Sequence, residues 1–358
     1  METGEPEADG RSTDPNPIDE HALAAYLEAH IDGFRGYAGL EKFSSGQSNP
    51  TYRIEAASGT YVLRSKPLGT LLKSAHQIDR EFRLMKALDG SAVPVPKMLH
   101  LATEDVSPLG RMFFVMEHLS GRIFWDPALP EVATNAERAA IYDAMNEALA
   151  ALHAIDVATV GLADYGRPGD YFARQLSRWS DQYRQSELDP LPDMWRLIEW
   201  LEDHLPPDDG SASLVHGDYR LDNMIFATDQ PRILGVLDWE LSTLGHPLSD
   251  LAYQCMQWRL PNVGAFRGLG GVDRASLGIP MEADYVAHYC ERRGIASIEN
   301  WSFYIAFSFF RLSAILQGVY KRFVDGNASN PVKAKVYGGT VPVLARLANE
   351  MIDGEAGR

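Results

Sequence analysis

The chain has 358 residues, of which 45% are hydrophobic and 23% charged, a composition typical of a soluble globular protein with room for two lobes. Its formal net charge of −16 argues against a nucleic-acid partner. Both cysteines, Cys255 and Cys290, lie in apolar stretches, which favours buried free thiols over a disulfide or a metal site.

The chain begins with an acidic segment, residues 1–20, that lacks an apolar core. This composition predicts a disordered tail, and we expect no secretory signal. Hydrophobic periodicity then predicts an amphipathic helix followed by a small antiparallel sheet. The helix is expected at 18–33 and the first strands at 37–44, 51–57 and 60–66.

Two features of this sheet region bear on function. The connection between its first two strands contains Ser45 and Gly46, which suit either an ordinary hairpin tip or a loop that binds phosphates through backbone N–H groups. On the third strand, alternation places Val62, Arg64 and Lys66 on one face. A strand cation of this kind is usually solvated, so the pattern alone assigns it no role.

A helix predicted over 71–88 carries a carboxylate, Glu81, at the edge of its apolar face. A carboxylate in such a position requires a cationic partner. The spacing leaves two kinds of partner open: a neighbour on the same helix, Arg80 or Arg83, or a cation elsewhere in the chain.

Beyond this helix the pattern predicts two more strands and then a mainly helical region. A capping-box pattern, Thr134 to Glu137, marks the start of the first of these helices. The strands are expected at 97–102 and 111–117, and the helices at 134–155, 170–187 and 192–205.

The most apolar segment, 301–320, contains Arg311 near its centre. Placing an arginine in the middle of a membrane helix costs about 2.5–3.5 kcal/mol on insertion scales, so we predict a buried helix of a cytoplasmic protein without a membrane partner. Because a buried unpaired cation is costly, Arg311 is expected either to pair with an internal acid or to point into a substrate cleft.

One stretch, residues 214–240, combines polar groups of the kind used in metal-assisted chemistry. His216, Asp218 and Asn223 have the spacing H-x-D-x-x-x-x-N, and Asp238 follows an apolar strand. Carboxylate and amide oxygens are ligands that Mg²⁺ prefers, and a cation would offset the repulsion between the two carboxylates. The spacing therefore indicates phosphoryl transfer, in which one carboxylate orients a hydroxyl and the other groups hold the ion.

His216 itself has two interpretations. Together with His246 it suggests a zinc site, but no cysteine or carboxylate completes a ligand set at zinc-site spacing. A buried, hydrogen-bonded histidine is therefore the favoured interpretation.

The segment His216–Asn223 resembles the catalytic loop of the aminoglycoside phosphotransferase and choline kinase group, relatives of the protein kinases, and Asp238–Glu240 resembles their metal-binding segment. The chain resembles still more closely the phosphotransferase domain associated with acyl-CoA dehydrogenases and its free-standing bacterial counterparts, over about residues 35–345. The resemblance implies an α+β, two-lobed protein-kinase-like fold. The small N-lobe, an antiparallel sheet plus a helix, is expected at 21–118, and the large, mostly helical C-lobe at 119–358.

The resemblance also implies an enzyme that moves the γ-phosphate of ATP to a hydroxyl group of a small molecule with the help of Mg²⁺. Asp218 is expected to be the catalytic base, and Asn223 and Asp238 to bind the metal. Arg220 would meet the transferring phosphate, although a surface arginine is equally consistent with its position. In the family, an aspartate at the position of Asp250 braces the loop through backbone N–H groups.

For the nucleotide, the resemblance implies contacts from the N-lobe and the start of the C-lobe. Arg64 would hold the α- and β-phosphates where the family more often has lysine, with Lys66 as a second cation and Glu81 as the ion-pair partner. Val62 would cover the adenine. The remaining implied contacts come from main-chain groups of Ser45 and Gly46 at the phosphates and of Glu117 and Leu119 at the adenine edge.

The expected acceptor region, Arg259–Lys335, contains ten Lys and Arg against six Asp and Glu. This balance favours an anionic acceptor, such as a hydroxyacyl group on coenzyme A, although surface cations that balance the acidic remainder explain it equally well. An aminoglycoside, another amino alcohol or a sugar is the alternative acceptor. A non-catalytic nucleotide-binding scaffold and a metal-dependent hydrolase are the alternative classes of protein, and a homodimer is left open.

Overall fold

The computed structural model describes residues 18–43, 49–67, 77–262, 266–328 and 330–356. The predicted tail up to residue 17, the predicted phosphate-binding residues Ser45 and Gly46, and the first turns of the helix predicted at 71–88 lie outside the described residues. The chain divides into two compact units, one of residues up to 79 together with 99–118, the other of residues 80–98 and 119–358.

The first unit contains a helix and an antiparallel sheet, as predicted. Within the described residues the sheet has the strand order β1-β2-β3-β5-β4. Its elements are α1 (Glu20–His30), β1 (Tyr37–Lys42), β2 (Thr51–Ala56), β3 (Gly59–Ser65), β4 (Met98–Ala102, from Leu99 onward in this unit) and β5 (Phe113–Glu117).

The core of the first unit lies between α1 and one face of the sheet. Leu23 and Leu27 of α1 are fully buried in the same apolar cluster as Leu63 of β3. Fully burying a side chain of this size contributes about 1.5–3 kcal/mol. Because neighbouring residues of a strand point to opposite faces, Val62 and Arg64 lie on the face away from α1.

The second unit is mostly helical, as predicted, and also contains short antiparallel strand pairs, β6 with β9 and β7 with β8. Its elements are α2 (Ile78–Leu88, from Arg80 onward in this unit), α3 (Asn135–His153), α4 (Tyr171–Ser186), α5 (Pro192–Asp203), β6 (Ser213–Val215), β7 (Met224–Phe226), β8 (Ile233–Val236), β9 (Thr243–Gly245), α6 (Leu248–Met256), α7 (Arg274–Leu277), α8 (Glu282–Arg293), α9 (Trp301–Val324) and α10 (Pro331–Ala356).

Helix α9 lies at the centre of the second unit and packs against α4, α6 and α10. Within the described residues it is the one helix long and apolar enough to cross a membrane by length and composition alone. However, 67% of its most apolar window is buried inside the protein. Its apolar sequence is thus matched by its position in the helical core, in agreement with the prediction of a buried helix.

The start of α3 follows the predicted capping pattern in one half only. The Thr134 hydroxyl accepts the Glu137 N–H at 3.2 Å, as an N-cap does. The Glu137 carboxylate, however, accepts a hydrogen bond from Arg122 at 2.8 Å instead of reaching back to the cap. The backbone N–H of Arg122 donates to the Phe226 carbonyl at 2.7 Å, so this arginine connects α3 to strand β7.

Candidate active site

The predicted catalytic loop runs from β6 to β7, and Asp238 follows β8. Strands β7 and β8 pair with Met224 opposite Val236, and the Leu237 N–H extends this pairing by donating to the Asn223 carbonyl at 2.8 Å. Asn223 and Asp238 are therefore held at the same end of one strand pair. The hairpin brings together two predicted metal ligands that are well separated in the sequence.

The Asp218 carboxylate is held by groups of the loop and by one helix. Asn223 Nδ2 donates to Asp218 Oδ2 at 3.0 Å, and Arg220 Nε lies 3.2 Å from Oδ1. Tyr253, on α6, also interacts electrostatically with this side chain. Burial alone would raise the pKa of Asp218, but the Arg220 charge, Tyr253 and the Asn223 hydrogen bond bring it below its usual value. The carboxylate is therefore ionised and accepts hydrogen bonds.

Arg220 bridges two carboxylates. Besides its contact with Asp218, its Nη2 lies 3.2 Å from Asp222 Oδ2, and 38% of its side chain is exposed. Burial opposes its charge, but the two acids raise the pKa of Arg220 above its usual value. It is thus not an isolated surface arginine, and its contact with a transferring phosphate stays a prediction.

Asp222 is a member of this site that the sequence did not single out. Its side chain is only 17% exposed. Burial raises the pKa of Asp222, and the negative charges of Asp218 and Asp238 raise it further. Three acidic groups thus influence one another here, an arrangement that a cation would stabilise. The sequence signal that could have indicated Asp222 was its position directly before Asn223.

Asp238 has a left-handed backbone, with φ +64° and ψ +58°. Such a conformation in a residue other than glycine costs about 1–3 kcal/mol and is found where the surroundings enforce it. The next residue, Trp239, is 1% exposed, and its indole N–H donates to the Val236 carbonyl at 2.9 Å. The buried indole therefore fixes the turn that carries Asp238.

His216 is a buried, hydrogen-bonded histidine, which confirms the favoured interpretation. It is 0% exposed, its Nε2 lies 2.9 Å from the Leu237 carbonyl oxygen, and its Nδ1 accepts the Asp218 N–H at 3.1 Å. These partners place the ring proton on Nε2. Both ring nitrogens are engaged by the protein, so neither is available to a zinc ion.

The predicted brace at Asp250 is confirmed. This fully buried carboxylate accepts the His216 N–H at 2.6 Å and the Gly217 N–H at 2.8 Å, and His153 Nε2 lies 3.4 Å from it. Although burial opposes ionisation, these partners lower the pKa of Asp250. His153, which the sequence did not indicate, also contacts the Tyr289 hydroxyl at 2.8 Å, and burial lowers the pKa of its imidazole.

Arg311 forms no ion pair with an acid among the described residues, and its predicted position in a substrate cleft stays a prediction. Its Nη2 donates to the Gly217 carbonyl oxygen at 2.7 Å. Its guanidinium carbon lies 5.8 Å from the centre of a Trp179 ring and 5.5 Å from the centre of the Tyr253 ring. The cation therefore contacts the backbone of the catalytic loop and two aromatic rings rather than an internal acid.

The residues predicted to bind the nucleotide phosphates occupy both units. Arg64 lies on β3 of the first unit, opposite Phe114, and Glu81 is a 3% exposed residue of α2 in the second unit. The alternative partners of Glu81 are engaged elsewhere, since Arg80 donates to the Tyr165 carbonyl and Arg83 forms an ion pair with Asp164. The Arg64–Glu81 ion pair stays a prediction.

The residues predicted at the adenine belong to β3, to β5 and to the segment that follows β5 in the sequence. Val62 is 6% exposed on β3 and pairs with Met116 of β5. Glu117 ends β5 opposite Tyr61, and Leu119 is the first residue of the second unit after that strand. Their contacts with a nucleotide stay predictions.

Several cations of the predicted acceptor region form ion pairs, some of them with acids outside the region. The pairs are Arg259–Glu282 at 2.9 Å, Arg267–Asp126 at 3.9 Å, Arg292–Asp143 at 2.6 Å and Lys321–Asp325 at 2.5 Å. Acids from α3 and the segment before it thus offset part of the local positive balance. The balance counted along the sequence is a weak argument for an anionic acceptor.

Comparisons with known proteins agree with this geometry. A family model described as "Phosphotransferase enzyme family" matches residues 39–278. The chain is 47% identical over 333 residues to acyl-CoA dehydrogenase family member 10 of Mus musculus, covering 92% of this chain and 31% of that protein. It is 45% identical over 318 residues to member 11 of Rattus norvegicus, covering 87% and 41%. The chain thus spans less than half the length of these curated relatives.

Solved structures show the same fold. A crystal structure of a candidate aminoglycoside phosphotransferase from Ralstonia eutropha JMP134 superposes with a TM-score of 0.85 at 47% identity, over 94% of this chain and 99% of that one. A spectinomycin phosphotransferase solved with ADP and spectinomycin superposes with a TM-score of 0.62 at 13% identity, over 92% and 98%. The second likeness concerns the fold alone, and the fold is the kinase-like one predicted from the sequence.

Proposed function

Because this chain belongs to the phosphotransferase enzyme family, we propose that it transfers the γ-phosphoryl group of ATP to a hydroxyl group of a small molecule in a Mg²⁺-dependent reaction. The observation that carries the proposal is that Asn223, which is hydrogen-bonded to Asp218, lies with Asp238 at the same end of the β7–β8 strand pair. Positioning and charge neutralisation supply most of the rate enhancement in phosphoryl transfer, and this arrangement offers both.

Asp218 is the proposed base. Its carboxylate, ionised because its pKa is lowered, accepts a hydrogen bond from the acceptor hydroxyl and aims the oxygen at phosphorus. The bond from the hydroxyl oxygen to the γ-phosphorus forms as the bond to the bridging oxygen of ADP breaks, and the hydroxyl proton passes to Asp218. Because its pKa is low, this carboxylate binds a proton only weakly at the start of the reaction. It therefore orients the hydroxyl first and accepts the proton late, as the new bond to phosphorus forms.

Asn223 and Asp238 are the proposed Mg²⁺ ligands. The donor chemistry fits, because Asn223 uses its Nδ2 to bind Asp218 and keeps its amide oxygen for other partners. No three His, Cys, Asp or Glu side chains within the described ranges converge as a metal site, so phosphate oxygens and water would complete the coordination. When bound, the ion would neutralise charge on the transferring phosphoryl group.

The nucleotide is proposed to bind through residues that the family resemblance indicates. Arg64, with Glu81 as its partner, would hold the phosphates, Val62 would cover the adenine, and main-chain groups at Glu117 and Leu119 would bind its edge. The presence of ADP in the spectinomycin phosphotransferase structure supports a nucleotide as the phosphoryl donor.

For the acceptor, we favour a hydroxyacyl group on coenzyme A. The support comes from the curated relatives, which carry the name acyl-CoA dehydrogenase and of which this chain matches less than half. The second candidate is an aminoglycoside or a related amino alcohol or sugar. It is favoured by the likeness to the candidate aminoglycoside phosphotransferase of Ralstonia eutropha at 47% identity.

A coupled assay of ATP consumption tests the proposal and separates these acceptors. Hydroxyacyl-CoAs, aminoglycosides, choline-like alcohols and sugars are compared, with Asp218→Asn as the blank. Turnover with a hydroxyacyl-CoA that the blank lacks supports the favoured acceptor, whereas turnover with aminoglycosides alone rejects it. Phosphate release without any acceptor indicates a hydrolase, and nucleotide binding in a thermal-shift assay without ATP consumption indicates a non-catalytic scaffold.

A further inference from the structure

Arg311 of α9 is a cation that the proposed chemistry does not yet use. It is 5% exposed and lies in the middle of the most apolar helix. Burying a guanidinium without a carboxylate partner costs free energy unless other groups replace its hydration. The Gly217 carbonyl and the two aromatic rings that flank it provide that replacement.

The first contact fixes a peptide unit next to the proposed base. Gly217 directly precedes Asp218 and has φ +84°, a conformation that glycine adopts without strain. Its N–H donates to Asp250 at 2.8 Å, and its carbonyl accepts from Arg311 at 2.7 Å. A glycine offers little resistance to backbone rotation, so hydrogen bonds at both of its polar groups keep the following residue in one orientation.

The second contact fixes a side chain that supports the carboxylate. The Tyr253 ring lies 5.5 Å from the Arg311 guanidinium carbon, and burial together with the nearby Asp218 carboxylate raises the pKa of the Tyr253 hydroxyl. Trp179, at 5.8 Å, holds the guanidinium from α4. The same cation therefore contacts both the backbone and the side-chain support of Asp218.

We propose that Arg311 is a positioning residue, which holds the Gly217 peptide and the Tyr253 ring so that the Asp218 carboxylate points at the acceptor hydroxyl. The inference rests on the proposed phosphotransfer. It assigns to α9 a function beyond packing, because misplacing a reacting group by about 1 Å can cost about 100-fold in rate.

The test compares two arginines that contact the same tryptophan. Arg311→Met keeps the apolar stem and removes the guanidinium, and Arg178→Met removes the exposed arginine that lies 5.3 Å from a Trp179 ring but has no contact with Gly217. We expect Arg311→Met to lower kcat about 100-fold while the KM for ATP stays within about twofold. Arg178→Met is expected to change neither constant.

Tyr253→Phe provides a milder variant, which keeps the ring and removes the hydroxyl. We expect it to lower kcat about tenfold, because it removes a polar group that interacts with the Asp218 carboxylate, again with little change in KM. An unchanged kcat in a folded Arg311→Met protein overturns the inference. If Arg311→Met does not fold, the Tyr253→Phe result decides, and wild-type kcat in that variant overturns it equally.

Hydrogen exchange separates this inference from the proposed function. The Asp218 N–H donates to His216 in the folded loop, and we expect it to exchange at least about tenfold faster in Arg311→Met than in Arg178→Met. Unchanged exchange overturns the positioning role whether or not the enzyme is active. If exchange is faster but the wild-type protein transfers no phosphate to any acceptor, the proposed function fails and the restraint on the loop stands.

Discussion

The two sides of the catalytic loop, residues 216–223, differ in how completely they are buried. The closed side, formed by His216, His153, Asp250 and Arg311, is at most 5% exposed. On the open side, the side chain of Asp218 is 19% exposed, that of Asp222 17% and that of Arg220 38%. The same loop thus joins a dry hydrogen-bonded interior to a partly solvated cluster of acids.

This difference separates two tasks. On the closed side, polar groups find their partners in the protein, so these groups fix geometry and contribute to the stability of the fold. On the open side, like charges are kept close together at an energetic cost that a substrate or a cation can relieve. Substitutions on the open side should therefore reduce turnover without loss of stability, whereas those on the closed side should reduce stability and, where they misplace Asp218, turnover as well.

The largest effect is expected from Asp218 on the open side. Asp218→Asn preserves the shape of the side chain but removes the proposed base, and we expect turnover to fall by about 10²–10⁴-fold with no loss of thermal stability. The measurement is kcat in the coupled assay together with a melting curve. Asp229→Asn, at the exposed turn of the β7–β8 hairpin, is the matched control. A loss of stability in Asp218→Asn that Asp229→Asn does not show would contradict the division of tasks.

The next effect concerns Asp250 on the closed side. Asp250→Asn removes the charge that accepts the His216 and Gly217 N–H groups, and disrupting such a buried network typically costs about 3–5 kcal/mol. Urea unfolding measures this loss. Asp181→Asn, which breaks an exposed ion pair with Arg184, should cost no more than about 1 kcal/mol. Equal costs for the two variants would show that burial does not set the strength of the brace.

Replacing Gly217 by alanine is expected to destabilise the protein for two reasons that can be separated. A Cβ at this position would lie 2.5 Å from the Leu241 carbonyl oxygen, and φ is +84°. Gly90 has a similar φ of +75° with no heavy atom within 4 Å of such a Cβ. We expect Gly90→Ala to cost about 1 kcal/mol and Gly217→Ala more, up to about 3 kcal/mol, in chemical denaturation. Similar values would mean that the clash is relieved by a backbone shift.

The smallest expected effect is a pH dependence of stability that originates on the closed side. Burial lowers the pKa of His153, so the unfolded chain binds a proton that the folded protein excludes. The stability contributed by the neutral imidazole is present above the unfolded pKa of about 6.5 and is lost as pH falls below it, by at most about 1.4 kcal/mol per pH unit. Comparing His153→Gln with wild type between pH 5.5 and 7.5 isolates this contribution, and parallel stability curves would exclude it.

Much of this organisation is predictable from local sequence. The alternation of the first sheet, the apolar run before Asp238 and the H-x-D-x-x-x-x-N spacing are short-range signals, and they predicted the first sheet and a strand before Asp238. The resemblance to a kinase-like family supplied the brace at Asp250, which periodicity does not encode.

The remaining contacts were not predictable because they join residues far apart in the sequence. Arg311 and Tyr253 interact with the loop, and His153 contacts its brace Asp250, from three different helices. Nothing in the pattern of any one helix indicates the partner. The β6–β9 pair was missed because its strands have three residues each, too short for an alternating pattern. At Glu137 a local signal gave a wrong prediction. The capping-box motif predicted a hydrogen bond from the N-cap backbone N–H to the Glu137 carboxylate, which instead accepts from Arg122.

The left-handed backbone of Asp238 determines how a complete mutational scan of this position should be interpreted. Alanine removes the carboxylate and also inherits an unfavourable φ, so its phenotype mixes two causes. Asparagine tolerates this conformation and changes only the charge, and glycine relaxes the backbone while removing the side chain. Protein abundance should therefore rank glycine and asparagine above alanine at position 238, whereas activity should be lost in all three.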